Sequence, residues 1–325
     1  SYTVKLKTEP RFVNEKCTAC NACVDVCPEE RDNEFDYGMS KTKAVYLPHQ
    51  LAYPVEYAID GKACPGASCG KCVEACAYDA IDLAMEETTE TIEVGAVIVA
   101  TGWKPYDKAK LDNLGAGEIQ DVITNVEMER YAAENGPTKG TITRPSDGKE
   151  IESIAFVQCA GSRDENHLTF CSGVCCLASL KQATYVRERY PEAQIKIFYI
   201  DIRTPGRMED FFNKVSEDEK LTLVKGKVAK ITEEGGKVTV EAEDTATGVK
   251  SKETVDMVVL ATGMQPEAAG GALPGAVSLD DDGFVKSGKG IIAAGCARNA
   301  LDVAASVKDG TAAALKAIQT IAGRA

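Results

Sequence analysis

Cys17-Thr-Ala-Cys20-Asn-Ala-Cys23-Val-Asp-Val-Cys27-Pro28 places four thiols at gaps of two, two and three residues and closes on a proline. That cadence is the one by which bacterial chains hold 4Fe-4S clusters. Three thiolates two residues apart on a looping segment can grip three irons of a cube. The fourth thiol opens the next helix and points elsewhere, and Pro28 ends the loop. The spacing therefore predicts a carrier of electrons.

About forty residues on, Cys64-Pro-Gly-Ala-Ser-Cys69-Gly-Lys-Cys72-Val-Glu-Ala-Cys76 repeats the pattern. The two runs read as pseudo-symmetric halves of one ferredoxin-like module, in which the fourth cysteine of each run serves the other cluster. The predicted sets are Cys17, Cys20, Cys23 and Cys76 for one cluster, and Cys64, Cys69, Cys72 and Cys27 for the other. The second run departs in its longer first gap and in Ala77, which stands where proline would. A wider loop through Pro65 to Ser68 would absorb the gap. Paired structural zinc sites are the alternative, but tetrahedral zinc asks for four thiolates and not eight in this rhythm.

Outward from the module, residues 3–7 alternate like a short strand and 90–100 resume a strand pattern. Val94-Gly-Ala-Val-Ile-Val-Ala-Thr-Gly102 reads as a buried strand ending in Ala-Thr-Gly, and Val255-Asp-Met-Val-Val-Leu-Ala-Thr-Gly263 repeats it. Between them, 104–149 is rich in glycine, proline and charge and reads as a surface linker with a helix over 125–133. Strands are then predicted over 154–158 and 195–200, helices over 174–190 and 208–215, and hairpin strands over 228–232 and 238–242 about Gly235-Gly236. A strand over 290–295 and an apolar helix over 303–321 complete the chain. Alternating strands and helices with a meander before a late parallel strand give a doubly wound α/β plan.

The two Ala-Thr-Gly ends, with the late Ala-Ala-Gly295-Cys296 turn, resemble the two-dinucleotide-binding-domain flavoproteins of the thioredoxin reductase type. That resemblance divides the chain into a flavin-domain strand (1–10), an inserted α+β two-cluster ferredoxin domain (11–85), a further flavin-domain strand and linker (86–149), a degenerate NAD-type domain (150–263) and the C-terminal part of the flavin domain (264–325). It implies FAD held at Thr101, Gly102 and Gly295, with the helix from Asp302, Val303 and Ala304 aiming its positive end at the flavin. The Gly-x-Gly-x-x-Gly clamp for the FAD pyrophosphate occurs nowhere in the chain, and the expectation is that a preceding segment or another chain supplies it. Cys296, where many relatives of that fold carry aspartate, is either a packed residue or a thiol near the flavin.

Where the second domain would carry its own glycine fingerprint stand Cys159, Cys171, Cys175 and Cys176. Nicotinamide binding is thereby disfavoured, and Asp201 after the next strand reads as a capping or surface carboxylate. Read alone, the four thiols leave several options open: buried small apolar groups, a zinc site, a vicinal disulfide across Cys175-Cys176, or a third metal centre.

Phe156-Val-Gln-Cys-Ala-Gly-Ser-Arg-Asp164, Cys171-Ser-Gly-Val-Cys-Cys176, Pro145-Ser-Asp-Gly148, Ile200-Asp-Ile-Arg203 and the ferredoxin insert resemble the A-type flavoprotein subunits of heterodisulfide reductase. They resemble in particular the shortened A-type subunits of quinone-interacting membrane-bound oxidoreductase complexes of sulfate reducers. The resemblance implies a third 4Fe-4S cluster on Cys159, Cys171, Cys175 and Cys176. It also implies electron exchange between the quinone pool and adenylylsulfate reductase, with two partners in the same complex: a second flavin/iron–sulfur subunit, and a membrane subunit bearing heme. The expected location is cytoplasmic, with membrane association through those partners.

A net charge of −13 argues against nucleic acid as a partner. No apolar run approaches a spanning helix, and only two histidines, His49 and His167, occur, which disfavours imidazole catalysis. Competing readings are a free-standing NAD(P)H-dependent reductase, a thiol–disulfide reductase using Cys175-Cys176 or Cys159, and a scaffold with structural clusters.

Overall fold

A computed structural model describes residues 1–244, 247–271, 273–275 and 277–323. The chain forms two units, Tyr2–Val94, and Ser1 together with Gly95–Ala325.

In the first unit, β1 (Tyr2–Thr8) leads to α1 (Ala22–Asp25), a hairpin of β2 (Glu30–Asp32) and β3 (Lys41–Lys43), and the antiparallel pair β4 (Val45–Tyr46) and β5 (Ala58–Ile59). Helix α2 (Lys71–Ala75) follows, and β6 (Thr88–Val94) returns antiparallel along the whole of β1. Helices of four and five residues cannot hold themselves in water, so packing must hold them. The core that does so is small: Val13, Ala44, Val45, Ile59 and Ala80, joined by Cys27 and Cys72. The pseudo-symmetry predicted from the cysteine runs is visible in the backbone. Asn21 and Gly70, each directly after the second cysteine of its run, both adopt left-handed φ, at 72° and 61°, and each starts the following helix. The longer gap of the second run is taken up by a 3-10 turn at Gly66–Ser68.

The second unit begins with β7 (Val97–Val99), β8 (Trp103–Pro105), β9 (Val122–Thr124), α3 (Asn125–Ala132), β10 (Ser153–Ala160) and α4 (Cys175–Arg189). It continues through β11 (Gln194–Tyr199), α5 (Met208–Ser216), β12 (Leu221–Lys225) and a meander of β13 (Lys227–Glu234), β14 (Lys237–Glu243) and β15 (Lys250–Val255). Then come β16 (Met257–Thr262), β17 (Met264–Pro266), the short pair β18 (Ser278–Leu279) and β19 (Val285–Lys286), β20 (Ile291–Ala293) and α6 (Val303–Ile321). Five strands make one parallel sheet in the order β12-β11-β10-β16-β9. Every residue of β16 is buried, as suits a parallel strand covered on both faces. Val228, Ile231, Val238 and Val240 of the meander cluster with Ala155, Val157, Val258 and Leu260 of the sheet. Period-two alternation sends Ile154 and Phe156 to the opposite face, where α4 packs on β10. One face is thus covered by a meander and not by helices, a variation on the doubly wound plan.

Two expectations are corrected. The stretch 104–149 is not a surface linker: it contains β9, an edge strand of the main sheet, and its Leu111, Leu114, Val122, Ile123, Met128 and Ile142 are buried. The Val94–Gly102 run is also not one buried strand. Gly95 divides β6 from β7, because a Cβ there would stand 2.8 Å from Ile321 Cγ1. Among the described residues β7 pairs with β20 alone, parallel to it, and Ile98 is exposed.

Candidate metal and cofactor sites

The backbone wraps each cysteine loop around a recess. Cys17, Cys20, Cys23 and Cys76 line one, with Val13, Tyr57 and Ile81 among its walls. Cys27, Cys64, Cys69 and Cys72 line another, walled by Val45 and Pro65. Each recess thus gathers three thiols from one run and the fourth from the other; contrary to expectation the fourth cysteines do not open a helix, Cys27 and Cys76 instead following the ends of α1 and α2, which pack against each other. Ala19 and Asn21, at φ 54° and 72°, turn the first loop inward. For non-glycine residues that conformation costs on the order of 1 kcal/mol each, so it persists only where the surroundings demand it.

The chemistry of these linings fits a cluster. Amides at Gly66 and Ala80 lie 3.4 Å from the sulfurs of Cys64 and Cys76, as donors to a thiolate would. Burial pushes the Cys23 thiol up to about 11 and raises Cys72 as well, so a buried cation is needed to hold them as thiolates. Among the described residues no group of three or more His, Cys, Asp or Glu converges on a single ion. A four-iron cube spreads its four thiolates over separate irons, where tetrahedral zinc would draw four onto one ion.

The third cysteine set sits at the C-terminal crest of the parallel sheet, beside the point where the strand order reverses between β10 and β16. Open α/β sheets bind their ligands at this point. Cys159 bends out of β10 at φ 57°, where the β10–β16 register shifts. Cys175 and Cys176 start α4; the Cys175 thiol donates to the Thr262 carbonyl at the end of β16 (3.8 Å), and the Cys176 thiol to the Asp201 carbonyl beyond β11 (3.8 Å). Cys171 precedes the helix, its sulfur 3.4 Å from the Gly173 amide. The first two residues of a fifteen-residue helix thus offer thiols beside its positive end, where a dinucleotide-binding unit would receive a pyrophosphate. Close approach of β16 to this loop needs Gly263, since a Cβ there would stand 2.1 Å from Ser162 Oγ. All thirteen cysteines are free, so no vicinal disulfide joins Cys175 and Cys176. Burial pushes the Cys175 thiol up to about 12 and raises Cys159 and Cys176.

Asp201 is more than a capping group. Its Oδ1 accepts from Arg163 Nη1 at 2.5 Å and its Oδ2 from Arg203 Nη2 at 3.4 Å, so one carboxylate bridges two guanidiniums on the residue whose carbonyl receives the Cys176 thiol. The trio has no signature in the spacing of the chain, although two of its members lie within the Ile200-Asp-Ile-Arg203 motif.

The residues expected at FAD fall in one region. Parallel β7 and β20 run in register, Ala293 opposite Val99, and deliver Thr101-Gly102 and Gly295-Cys296 to the same ends of the pair. Gly102, at φ 75°, has no atom within 4 Å of where a Cβ would stand, which leaves its backbone approachable. Asp302 caps α6 by accepting from the Ala305 amide at 2.7 Å, and Val303 and Ala304 lie exposed in the first turn. The Gly295 amide donates to Asp309 Oδ2 at 2.7 Å, and the Cys296 thiol donates to the Leu301 carbonyl at 3.4 Å. That last bond favours a packed role for Cys296.

A 4Fe-4S binding domain model matches residues 10–30. The chain is 36% identical over 98% of its length to the A-type component of the ferredoxin/F420H2-dependent CoB-CoM heterodisulfide reductase of Methanosarcina acetivorans, covering 42% of that protein. It is 38% identical over 99% of its length to an A-type iron-sulfur component of the CoB-CoM heterodisulfide reductase of Methanopyrus kandleri, covering 52% of it. Its curated relatives are heterodisulfide reductase proteins of the A type. The chain spans about half the length of the relatives it matches. Among solved structures, the thioredoxin reductase of T. acidophilum aligns with 71% of the chain and 68% of its own, at a TM-score of 0.45 and 18% identity.

Proposed function

We propose that this chain is the electron-transfer part of an oxidoreductase subunit of the heterodisulfide reductase A type. It would hold 4Fe-4S clusters at Cys17/Cys20/Cys23/Cys76, Cys64/Cys69/Cys72/Cys27 and Cys159/Cys171/Cys175/Cys176, with FAD against Thr101-Gly102, Gly295-Cys296 and the start of α6. When bound, a flavin exchanges electrons singly or in pairs and each cluster exchanges one, so the chain would act as a junction and not as a catalyst alone. The observation that carries the reading is the pair of recesses, each lined by four thiols in crossed combination. The protein's own contribution is to supply thiolates, aim amides at sulfur and keep water from the buried side.

Two alternatives fare worse on specific residues. A nicotinamide-dependent reductase needs a glycine turn after β10, and Cys159-Ala-Gly-Ser stands there. A thiol–disulfide reductase needs an exposed thiol of low pKa, but Cys175 and Cys176 are buried and their thiols are raised.

The narrower reading, electron exchange between a quinone pool and adenylylsulfate reductase, rests on the motif resemblance. So do the two partners, one carrying flavin and iron–sulfur clusters and one carrying heme in the membrane, and so does a peripheral cytoplasmic location. Among the described residues no helix is long and apolar enough to cross a membrane. This reading is tested by offering the reduced complex adenylylsulfate reductase or CoB-CoM heterodisulfide and recording which one reoxidises it.

The general reading is tested by iron, sulfide, zinc and flavin content of anaerobically prepared protein. About twelve irons per chain are expected, falling to about eight in Cys175→Ser. Eight in the unmodified protein would remove the third cluster.

A further inference from the structure

The charged trio at the sheet crest bears on the third cysteine set in a way no spacing motif records. Arg163 follows the Cys159 loop at φ 57°, its amide donating to the Phe170 carbonyl at 3.1 Å and its guanidinium paired with Asp201 at 2.5 Å. Arg203 closes on the other oxygen of the same carboxylate. The Asp201 carbonyl in turn receives the Cys176 thiol, so the carboxylate, the two guanidiniums and the cysteine set form one connected assembly. Arg163 is three-quarters buried, at 26% side-chain exposure, so solvent screens its charge less than it would a free surface arginine.

Resting on the third cluster proposed above, we propose that Arg163 and Arg203 are positioning charges that raise the reduction potential of the centre at Cys159, Cys171, Cys175 and Cys176, and that Asp201 sets how much of their charge it feels. One-electron reduction adds one negative charge to the thiolate-bound centre, and a neighbouring guanidinium favours that state. Asp201, being opposite in sign and bonded to both arginines, offsets part of the effect.

The sign structure makes the idea separable from mere damage. Arg203→Gln removes a positive charge and should lower the potential of this centre. Asp201→Asn removes the offsetting negative charge, keeps an oxygen able to accept from the guanidiniums, and should raise it. Arg203→Lys retains the charge and should return the potential toward that of the unmodified protein. Structural loosening would instead move both substitutions the same way or cost iron.

The experiment is a redox titration of the anaerobic, cluster-loaded chain, followed by electron paramagnetic resonance. The ferredoxin-type centres serve as internal references that should not move. At a fixed poise the reduced-to-oxidised ratio of the third centre is expected to fall about tenfold in Arg203→Gln, equivalent to about 59 mV for one electron. It should rise in Asp201→Asn. Full iron content with an unmoved midpoint in both variants, or shifts of the same sign, would overturn the inference. Only eight irons in the unmodified protein would instead overturn the third cluster itself, so the two failures are told apart by the iron count.

Discussion

At the scale of single residues, Asp256 is a buried anchor of the second unit. It stands 5% exposed where β15 turns into β16. Its Oδ2 accepts from the Glu152 amide (2.9 Å), the Ser153 amide (2.8 Å) and Ser153 Oγ (3.0 Å), and its Oδ1 pairs with Lys237 at 3.0 Å. The carboxylate thus ties the start of β10 to the start of β16 and so sets the register that brings Cys159 and Thr262 to the same crest. Burial works against its charge, but Lys237 and the three donors outweigh it and hold its pKa below the usual aspartate value. A group depressed in the folded state contributes stability above its unfolded pKa and loses it as pH falls through the folded one. Asp256→Asn is therefore expected to cost about 1–3 kcal/mol at neutral pH. The gap between the variant and the unmodified protein should narrow as pH falls from neutral to below the ordinary aspartate range and the native carboxyl protonates. Urea unfolding followed by circular dichroism at the two pH values checks both; a gap independent of pH would mean that Asp256 acts by shape and not by charge.

At the scale of elements, α3 illustrates how a short helix is started and kept. Thr124 caps it by accepting from the Glu127 amide at 3.3 Å, and Glu127 Oε2 reaches back to the Thr124 amide at 2.6 Å, a complete capping box. Since Thr124 is also the last residue of β9, the cap joins the edge strand to its helix. Thr124→Ala should destabilise the unit by about 1 kcal/mol, within a range of about 0.5–2. Amide exchange should rise first at Glu127 and Met128, and a uniform rise across the sheet would contradict a local cap. The helix was legible in the sequence, and the strand before it was not. Helices α3, α4, α5 and α6 span enough turns for their apolar positions to recur, and each was read to within about a residue. Strand β9 has three residues, too few for a period, and is buried only because Val258 and Val259 lie beside Val122 and Ile123 from far along the chain. Cysteine sets could be read because ligand spacing is local. The Arg163–Asp201–Arg203 trio could not, because its members converge from two loops and only the sheet brings them together.

At the scale of the whole molecule, the two units rest on different sources of stability, and this decides what metal removal should do. The Gly95–Ala325 unit has a five-stranded sheet with apolar residues buried on both faces, among them Phe156, Phe198, Ile154, Ile195, Met257 and Leu260. Burying such side chains is worth on the order of 1.5–3 kcal/mol each, so this unit can stand without a cofactor. The Tyr2–Val94 unit has a core of small residues, two of them the cysteines Cys27 and Cys72, around helices of one turn or so. In a domain of this size, metal binding supplies what the apolar core lacks, and binding free energy becomes folding free energy. Stripping iron with a chelator under oxidant is thus expected to unfold the first unit and spare the second. Limited proteolysis should then cut within residues 11–85 at least tenfold faster than before removal, while a fragment beginning near Gly95 persists. Equal cutting in both units would show that the sheet also depends on its metal, and the third cysteine set, seated between β10, β16 and α4, would be the place to look for that dependence.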